Sequence, residues 1–152
     1  MYDYNTTYGG PEGLAPLGMI TFNGTSNQIV SRSGPELWMN SITIDKPAGA
    51  RCYFDKPVKL NYSLNICGGI WQDMANNFVH QLNANLNVWP NGAIANDTNN
   101  TFSFVGSQHQ FIAYEGTGGF TNVIINKTAS TRTSDLAAAS DSGTVSRSVD
   151  VT

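Results

Sequence analysis

Hydrophobic and polar side chains alternate along much of this chain, most regularly over residues 58–66. The hydrophobic members of that segment are Val58, Leu60, Tyr62, Leu64 and Ile66. A period of two places them on one face of a β-strand and their polar neighbours on the other face. One dry and one wet face is typical of a strand in an antiparallel sheet that covers a core. The pattern therefore predicts a half-buried strand here.

Short runs of the same kind recur from Gly18 onward, and the first five of them are bounded by Gly, Pro, Asn or Asp. The runs are GMITF, NQIVS, LWMNSITI, ARCYF, VKLNYSLNI, TFSFV, QHQFIAY, FTNVIIN and TVSRSVDV. Asp45-Lys46-Pro47 and Asp55-Lys56-Pro57 flank ARCYF and are predicted turns, because proline excludes a helix before it and cannot donate to a ladder. About nine or ten strands with hairpin-length links are typical of an antiparallel two-sheet sandwich, and a jelly roll fits best. We predict an all-β fold with one β-sandwich domain over residues 18–152.

The stretch WQDMANNFVHQLNANLNVW, residues 71–89, is compatible with a helix or with a strand. A helix would have to contain several asparagines, each of which costs roughly half a kcal/mol relative to alanine. A strand instead places Asn83, Asn85 and Asn87 together on a solvent-facing side. We therefore predict a loop or one helical turn over residues 68–77, followed by a strand over residues 78–89.

The N-terminal residues 1–17 lack a periodic pattern and contain Tyr2, Tyr4, Tyr8 and a Gly-Gly-Pro. This composition predicts an extended arm. Tyrosine combines an apolar ring with a polar tip, which suits contact with a neighbouring protein surface. A terminus that packs on its own domain is the alternative.

The composition of the chain argues against several classes of binding partner. Charged residues make up 12% of the chain, the formal net charge is −3, and only eight residues are Lys or Arg. No basic cluster offers a site for nucleic acid, and no apolar run approaches the roughly 18 residues of a membrane span. The start MYDYNTTYGG has no basic or apolar leader, which fits synthesis in a cytoplasm or a mature secreted domain with an added Met.

Residues that could carry chemistry are few and scattered. Cys52 and Cys67 are candidates for a disulfide in an oxidising compartment, and two free buried thiols are the alternative. A zinc site built from these cysteines with His80 and His109 would lack the close ligand pairs of recognisable sites. The sequence also contains no GxSxG elbow. We therefore predict no metal, no cofactor and no enzymatic activity.

Amide side chains beside tryptophan suggest a sugar site as an alternative. Sugar-binding surfaces combine aromatic platforms with amides that both donate and accept hydrogen bonds. Trp89 with Asn83, Asn85 and Asn87 supplies both groups. The competing interpretation is that the tryptophans are core or interface anchors and that the amides cover a wet sheet face.

The arm MYDYNTTYGGPEGLAPLG, the strand series from GMITF to FTNVIIN and the small-residue tail TASTRTSDLAAASDSGTVSRSVDVT together suggest a family. With these features the chain resembles the small jelly-roll decoration, or cement, proteins of tailed bacteriophages. The resemblance implies a non-enzymatic virion structural protein that is made in the host cytoplasm and sits on the capsid surface. Its implied partners are the major capsid protein or other shell subunits, and further copies of itself as a dimer or trimer.

Two hypotheses follow for the binding residues. In the virion hypothesis, Tyr2, Tyr4, Tyr8 and Trp71 anchor the contact with the shell. In the alternative, the chain is a secreted lectin-like carbohydrate-binding β-sandwich module, with its site at Trp89 and the three neighbouring asparagines.

Overall fold

The computed structural model of the protein is built from β-strands, which make up 67% of the part of the chain whose side chains are described. Side chains are described for residues 19–31, 33–95, 99–107 and 110–127, and backbone strands for residues 2–3, 135–137 and 149–151. Within these ranges there is no helix of the length and apolarity needed to cross a membrane.

The strands vary from two to sixteen residues in length. In chain order they are β1 (Tyr2–Asp3), β2 (Met19–Phe22), β3 (Gln28–Ser31), β4 (Leu37–Asp45), β5 (Arg51–Phe54), β6 (Val58–Asp73), β7 (Val79–Leu82), β8 (Asn85–Ile94), β9 (Thr101–Gly106), β10 (Phe111–Tyr114), β11 (Thr117–Gly118), β12 (Asn122–Lys127), β13 (Asp135–Ala137) and β14 (Val149–Val151).

These strands wind into a parallel β-solenoid of about five coils. Every strand pairing in the described part of the chain is parallel. Ser63 pairs with Ser41 on one side and with Asn85 on the other. Along this row of strands, equivalent residues of successive coils are therefore 22 positions apart, as Asn65 and Asn87 also are, whereas Cys52 and Trp71 are 19 positions apart and Trp71 and Ile94 are 23 apart.

The pairings arrange the strands in three stacks around the coil. Stack A contains residues 19–22, 41–44, 63–66, 85–88, 111–114 and 135–137. Stack B contains residues 28–30, 51–54, 70–73, 93–94 and 117–118. Stack C contains residues 37–39, 58–60, 79–82, 101–106 and 122–127. The long strand β6 turns two corners and contributes to all three stacks.

The hydrophobic core lies inside the coil, where the inward residues of each stack meet. Stack A contributes Ile42, Leu64 and Leu86, which pair coil by coil and are fully buried. In stack B, the Phe54 and Trp71 rings stack with centroids 3.8 Å apart. Apolar side chains of successive coils thus pack on one another, and each coil covers the apolar side chains of the next.

The corner between stacks A and B requires glycine. A Cβ atom on Gly92 would collide with the backbone carbonyl oxygen of Ile66 in the preceding coil, and one on Gly68 would collide with the carbonyl oxygen of Lys46. The successive corners are therefore packed backbone against backbone, and a side chain there would force the coils apart.

The predicted antiparallel two-sheet sandwich, including the jelly roll, is wrong, although the all-β prediction is confirmed. The one-sided alternation that suggested antiparallel pairing arises here because three parallel stacks surround a single core. Each strand consequently has one dry and one wet face. The short links join different stacks of one coil, whereas hydrogen-bonded neighbours lie a whole coil apart. Asp45-Lys46-Pro47 and Asp55-Lys56-Pro57 do lie at links between strands.

Two local predictions also need correction. The alternation over residues 58–66 is confirmed for four of its hydrophobic residues, but the side chain of Tyr62 is 67% exposed because the chain turns a corner there. The loop predicted over residues 68–77 is strand as far as Asp73, and the following strand β8 continues beyond Pro90 to Ile94.

We expect two substitutions in β6 to distinguish the solenoid fold from the sandwich fold. Leu64→Ala should lower the free energy of unfolding by about 2–5 kcal/mol, because it opens a cavity in the core. Tyr62→Ala should change it by within about 0.5 kcal/mol, because that ring lies outside the coil. Denaturant unfolding measures both values. A sandwich with both residues on its inner face would show a large loss for both variants.

Candidate functional site

A buried carboxylate at the end of β6 organises the corner between stacks B and C. Asp73 Oδ1 accepts a hydrogen bond from Trp71 Nε1 at 3.1 Å. Its Oδ2 lies 2.9 Å from His80 Nε2 and accepts from Asn100 Nδ2 at 2.6 Å. All four side chains are buried. Three donors therefore stabilise a charge that would be costly to hold in the core without partners.

The hydrogen bonds of His80 fix its protonation. The backbone N–H of Val58 donates to Nδ1 at 3.1 Å, so this nitrogen acts as an acceptor and carries no proton. The proton is then on Nε2, which donates to Asp73. The ring also packs against Phe102, with centroids 4.9 Å apart. His80 is thus a neutral core residue that ties three successive coils together.

The segment over residues 74–79, a loop followed by the first residue of β7, is held at both ends by this cluster, and we call it the contact loop. Asn100 Oδ1 accepts from the backbone N–H of Phe78 at 2.7 Å, and its Nδ2 donates to the carbonyl of Ala75 at 3.2 Å. The loop therefore starts one residue after Asp73, ends one residue before His80 and is bridged by Asn100.

Amides of the next coil also fix the tip of the contact loop. The backbone N–H of Asn99 donates to Asn76 Oδ1 at 3.2 Å, and Asn99 Nδ2 donates to Asn77 Oδ1 at 3.3 Å. Asn77 has φ of 64°, a left-handed conformation that asparagine adopts more readily than most residues. On this fixed frame the side chains of Met74 and Val79 are 53% and 47% exposed.

The outer side of stack A forms a second feature, which we call face A. Its residues are Met19, Thr21, Ser41, Thr43, Ser63, Asn65, Asn85, Asn87, Phe111 and Ala113. None of these residues is charged, whereas stack B carries Arg51 and stack C carries Lys59 on the outside. Face A is therefore a surface of hydroxyls and amides with no charged side chain among these residues, with Met19 in its first coil and Phe111 in its last; the backbone of Asp135 in β13 pairs beside Phe111.

The amides of face A form a ladder along the coil axis. Asn87 Nδ2 donates to Asn65 Oδ1 at 2.9 Å, and Asn65 Nδ2 donates to Ser63 Oγ at 3.4 Å. Asn85 Oδ1 accepts from the backbone N–H of Phe111 in the next coil at 2.9 Å. The asparagines thus stabilise the stacking of coils as well as covering a wet face.

The predicted sugar-binding residues are brought together in part. Asn85, Asn87 and Trp89 lie on the same side of β8, because the alternating residues Leu86 and Val88 are buried. The Trp89 side chain is 53% exposed at the edge of face A. Asn83 lies apart, at the corner between stacks C and A, where its backbone N–H donates to the carbonyl of Leu60.

The predicted shell-binding residues are placed differently. Trp71 is fully buried between Phe54 and His80, so its ring is a core residue with no surface to offer a partner. The backbone of Tyr2 lies in β1 and pairs with Val30 of the same chain. The side chain of Tyr2, together with Tyr4 and Tyr8, lies outside the described residues.

Both cysteines are free, so the possible disulfide between Cys52 and Cys67 is not formed. Cys52 points into the core of stack B, where burial raises the pKa of its thiol to about 12 despite the opposing charge of Lys46. Cys67 is half-buried at a corner. His109 lies outside the described residues, and among those described no group of three or more His, Cys, Asp or Glu side chains could hold a metal ion.

Comparison of the chain with protein-family models, with curated proteins and with solved structures gives no match. Evidence for a function therefore comes from the geometry of the contact loop and of face A.

The roles of Asp73 and Asn100 are not evident from the sequence pattern. Asp73 follows the core residue Trp71 by two positions on one strand, which places a charged side chain on the inner face. A charge at an inward position is the signal that could have revealed a buried polar cluster, since such groups are retained only with partners. That signal required the strand to be recognised through residue 73, where a loop was predicted.

We predict that Asp73→Asn lowers the free energy of unfolding by about 2–4 kcal/mol. The amide offers one acceptor to three buried donors and directs its own N–H groups at one of them. Asp55→Asn is the matched control, because Asp55 is only partly buried and its bond from Ser31 Oγ survives in the amide. It should change stability by within about 1 kcal/mol. Equal losses in the two variants, measured by denaturant unfolding, would show that the Asp73 cluster has no special role.

The two thiols should differ in reactivity. Thiolate is the reactive form, and at pH 8 Cys52 is protonated and out of reach of reagent. In the folded protein we therefore expect a thiol reagent such as iodoacetamide to modify Cys67 at least about tenfold faster than Cys52, and both at similar rates in denaturant. Mass spectrometry of the labelled peptides measures the two rates. Fast labelling of Cys52 in the folded protein would contradict its place in the core.

Proposed function

We propose that this protein is a non-enzymatic structural component of a virion surface, which covers or stabilises the shell through protein–protein contacts. The observation that supports the proposal is the contact loop. Its exposed apolar side chains, Met74 and Val79, are presented on a segment fixed by buried hydrogen bonds at both ends. The proposal takes its support from this loop and from the N-terminal tyrosines, and no longer from a jelly-roll fold.

A fixed loop of this kind is well suited to bind a protein. Ordering a flexible loop on binding costs free energy, and a loop already held by Asn99 and Asn100 avoids most of that cost. Residues 74–79 carry no charge, and protein interfaces are depleted of charged residues at their centres. Methionine also adapts its shape to an irregular partner surface.

The proposed partners are the major capsid protein or other shell subunits, and further copies of this chain as a dimer or trimer. The tyrosines of residues 1–17 supply a second contact in this proposal. The location is the outer surface of the particle, after synthesis in the host cytoplasm. The solenoid then acts as a rigid support that holds the contact loop at a fixed orientation to the shell.

Binding to particles assembled without the protein tests the proposal. Met74→Asp and Val79→Asp should each weaken binding at least about tenfold, because a charge is placed in an apolar contact. Gln81→Asp is the matched control, since Gln81 is exposed two residues further along the same strand. It should bind like the unchanged protein. Removal of residues 1–17 should also reduce binding.

Co-sedimentation with purified particles measures these affinities, and circular dichroism verifies that each variant is folded. The proposal fails if antibodies against the protein do not label intact particles. It also fails if Met74→Asp and Val79→Asp both leave co-sedimentation unchanged.

A further inference from the structure

We propose that face A, together with Tyr62 and Trp89 at its borders, is a binding surface for an uncharged glycan. This site is distinct from the contact loop, and the proposal does not depend on the virion role. It keeps Asn85, Asn87 and Trp89 of the predicted sugar-binding residues, and it replaces Asn83 with Asn65 and Tyr62.

The asparagines of face A retain hydrogen-bonding groups that a sugar can use. A primary amide has two N–H donors and an oxygen with two acceptor sites. Within the described part of the chain, Asn87 uses one donor toward Asn65, and its oxygen accepts no bond. Asn85 uses its oxygen toward Phe111 and neither of its N–H groups. Adjacent donors and acceptors of this kind match sugar hydroxyls, which both donate and accept.

The ladder also fixes the amides before a ligand arrives. Asn65 is bonded to Ser63 on its own strand and to Asn87 in the next coil, so its side chain is held from two directions. A side chain that is already ordered loses little entropy on binding. Equivalent groups repeat about every 4.8 Å from coil to coil and about 6.6 Å along each strand, the spacings of a parallel sheet. A ligand built from repeating units can therefore meet the same groups several times.

Aromatic rings border face A on opposite sides. Tyr62 is 67% exposed at the corner before Ser63, and Trp89 is 53% exposed at the corner after Val88 in the next coil. Such rings offer apolar faces on which the C–H side of a pyranose can pack, while the amides between them meet its hydroxyls. Two exposed rings on either side of a polar strip are the second feature that indicates a sugar ligand.

The charge of the surface selects the kind of glycan. Sulfated or carboxylated sugars are bound through Arg and Lys, which face A does not contain. A protein partner is the competing occupant of an uncharged face. The central residues of face A suit a protein partner less well than a glycan, because Ser41, Ser63 and Asn85 offer polar atoms in place of a continuous apolar patch.

A glycan array with neutral, sialylated and sulfated oligosaccharides tests the proposal, followed by calorimetric titration of the unchanged protein with the best neutral binder. Trp89→Ala and Asn85→Ala should each weaken that binding at least about tenfold. The matched controls are Trp38→Ala and Gln81→Ala, which remove a tryptophan and an amide from the outer side of stack C. Each control should bind the neutral glycan within about twofold of the unchanged protein, and thermal unfolding should show all four variants folded.

Several results would overturn the proposal. One is the absence of binding to every neutral glycan on the array at millimolar concentration. Preference for sialylated or sulfated sugars would be another, as would equal losses in the face A variants and the controls. If Trp89→Ala reduces co-sedimentation with particles while no glycan binds, face A is a protein contact. The substitutions in the contact loop lie outside face A, so the virion proposal and the glycan proposal can fail independently.

Discussion

The structure depends on backbone hydrogen bonds between successive coils. A coil has no partner within itself, because its strands belong to three different stacks, and the N–H and C=O groups of each strand bond to the coils before and after it. In stack A this requirement keeps equivalent residues of the central coils 22 positions apart. In stack A it also places inward apolar side chains above one another, as with Ile42, Leu64 and Leu86. A substitution in one coil therefore acts on its neighbours as well.

Polar side chains, like apolar ones, make contacts between successive coils. Asn87 bonds to Asn65 on the outside, and Asn100 bridges the carboxylate of Asp73 to the contact loop on the inside. The row of amides in NANLN is thus partly a structural device, since it satisfies polar groups between stacked strands. The same arrangement leaves ordered donors and acceptors on face A and holds Met74 and Val79 in fixed positions. Contacts between coils therefore contribute to the stability of the solenoid and also shape both proposed binding surfaces.

The all-β character and much of the core could be predicted from the sequence, because the alternation of Val58, Leu60, Leu64 and Ile66 reports burial on one face. The direction of pairing could not be predicted in that way, since a parallel stack around a single core gives the same alternation as an antiparallel sandwich. The missed signal is a repeat. MITF at residue 19, SITI at 41, SLNI at 63 and NLNV at 85 follow each other at the offset of one coil.

The shorter repeat, of Asp45-Lys46-Pro47 and Asp55-Lys56-Pro57, occurs at two successive corners of one coil. In the sequence it favoured hairpin links between antiparallel strands. Of the candidate sites, Asn85, Asn87 and Trp89 could be placed together by alternation within one strand. The cluster of Asp73, His80 and Asn100 joins residues from two successive coils, and no local pattern brings Asn100 to the other two.

The most direct test of the coiled arrangement is a nuclear Overhauser spectrum of the isotopically labelled protein, analysed for the strands of stack A. The solenoid predicts backbone contacts of the parallel pattern between Thr43 and Asn65 and again between Asn65 and Asn87. Strong Hα–Hα contacts between hydrogen-bonded neighbours, the signature of antiparallel strands, would contradict it.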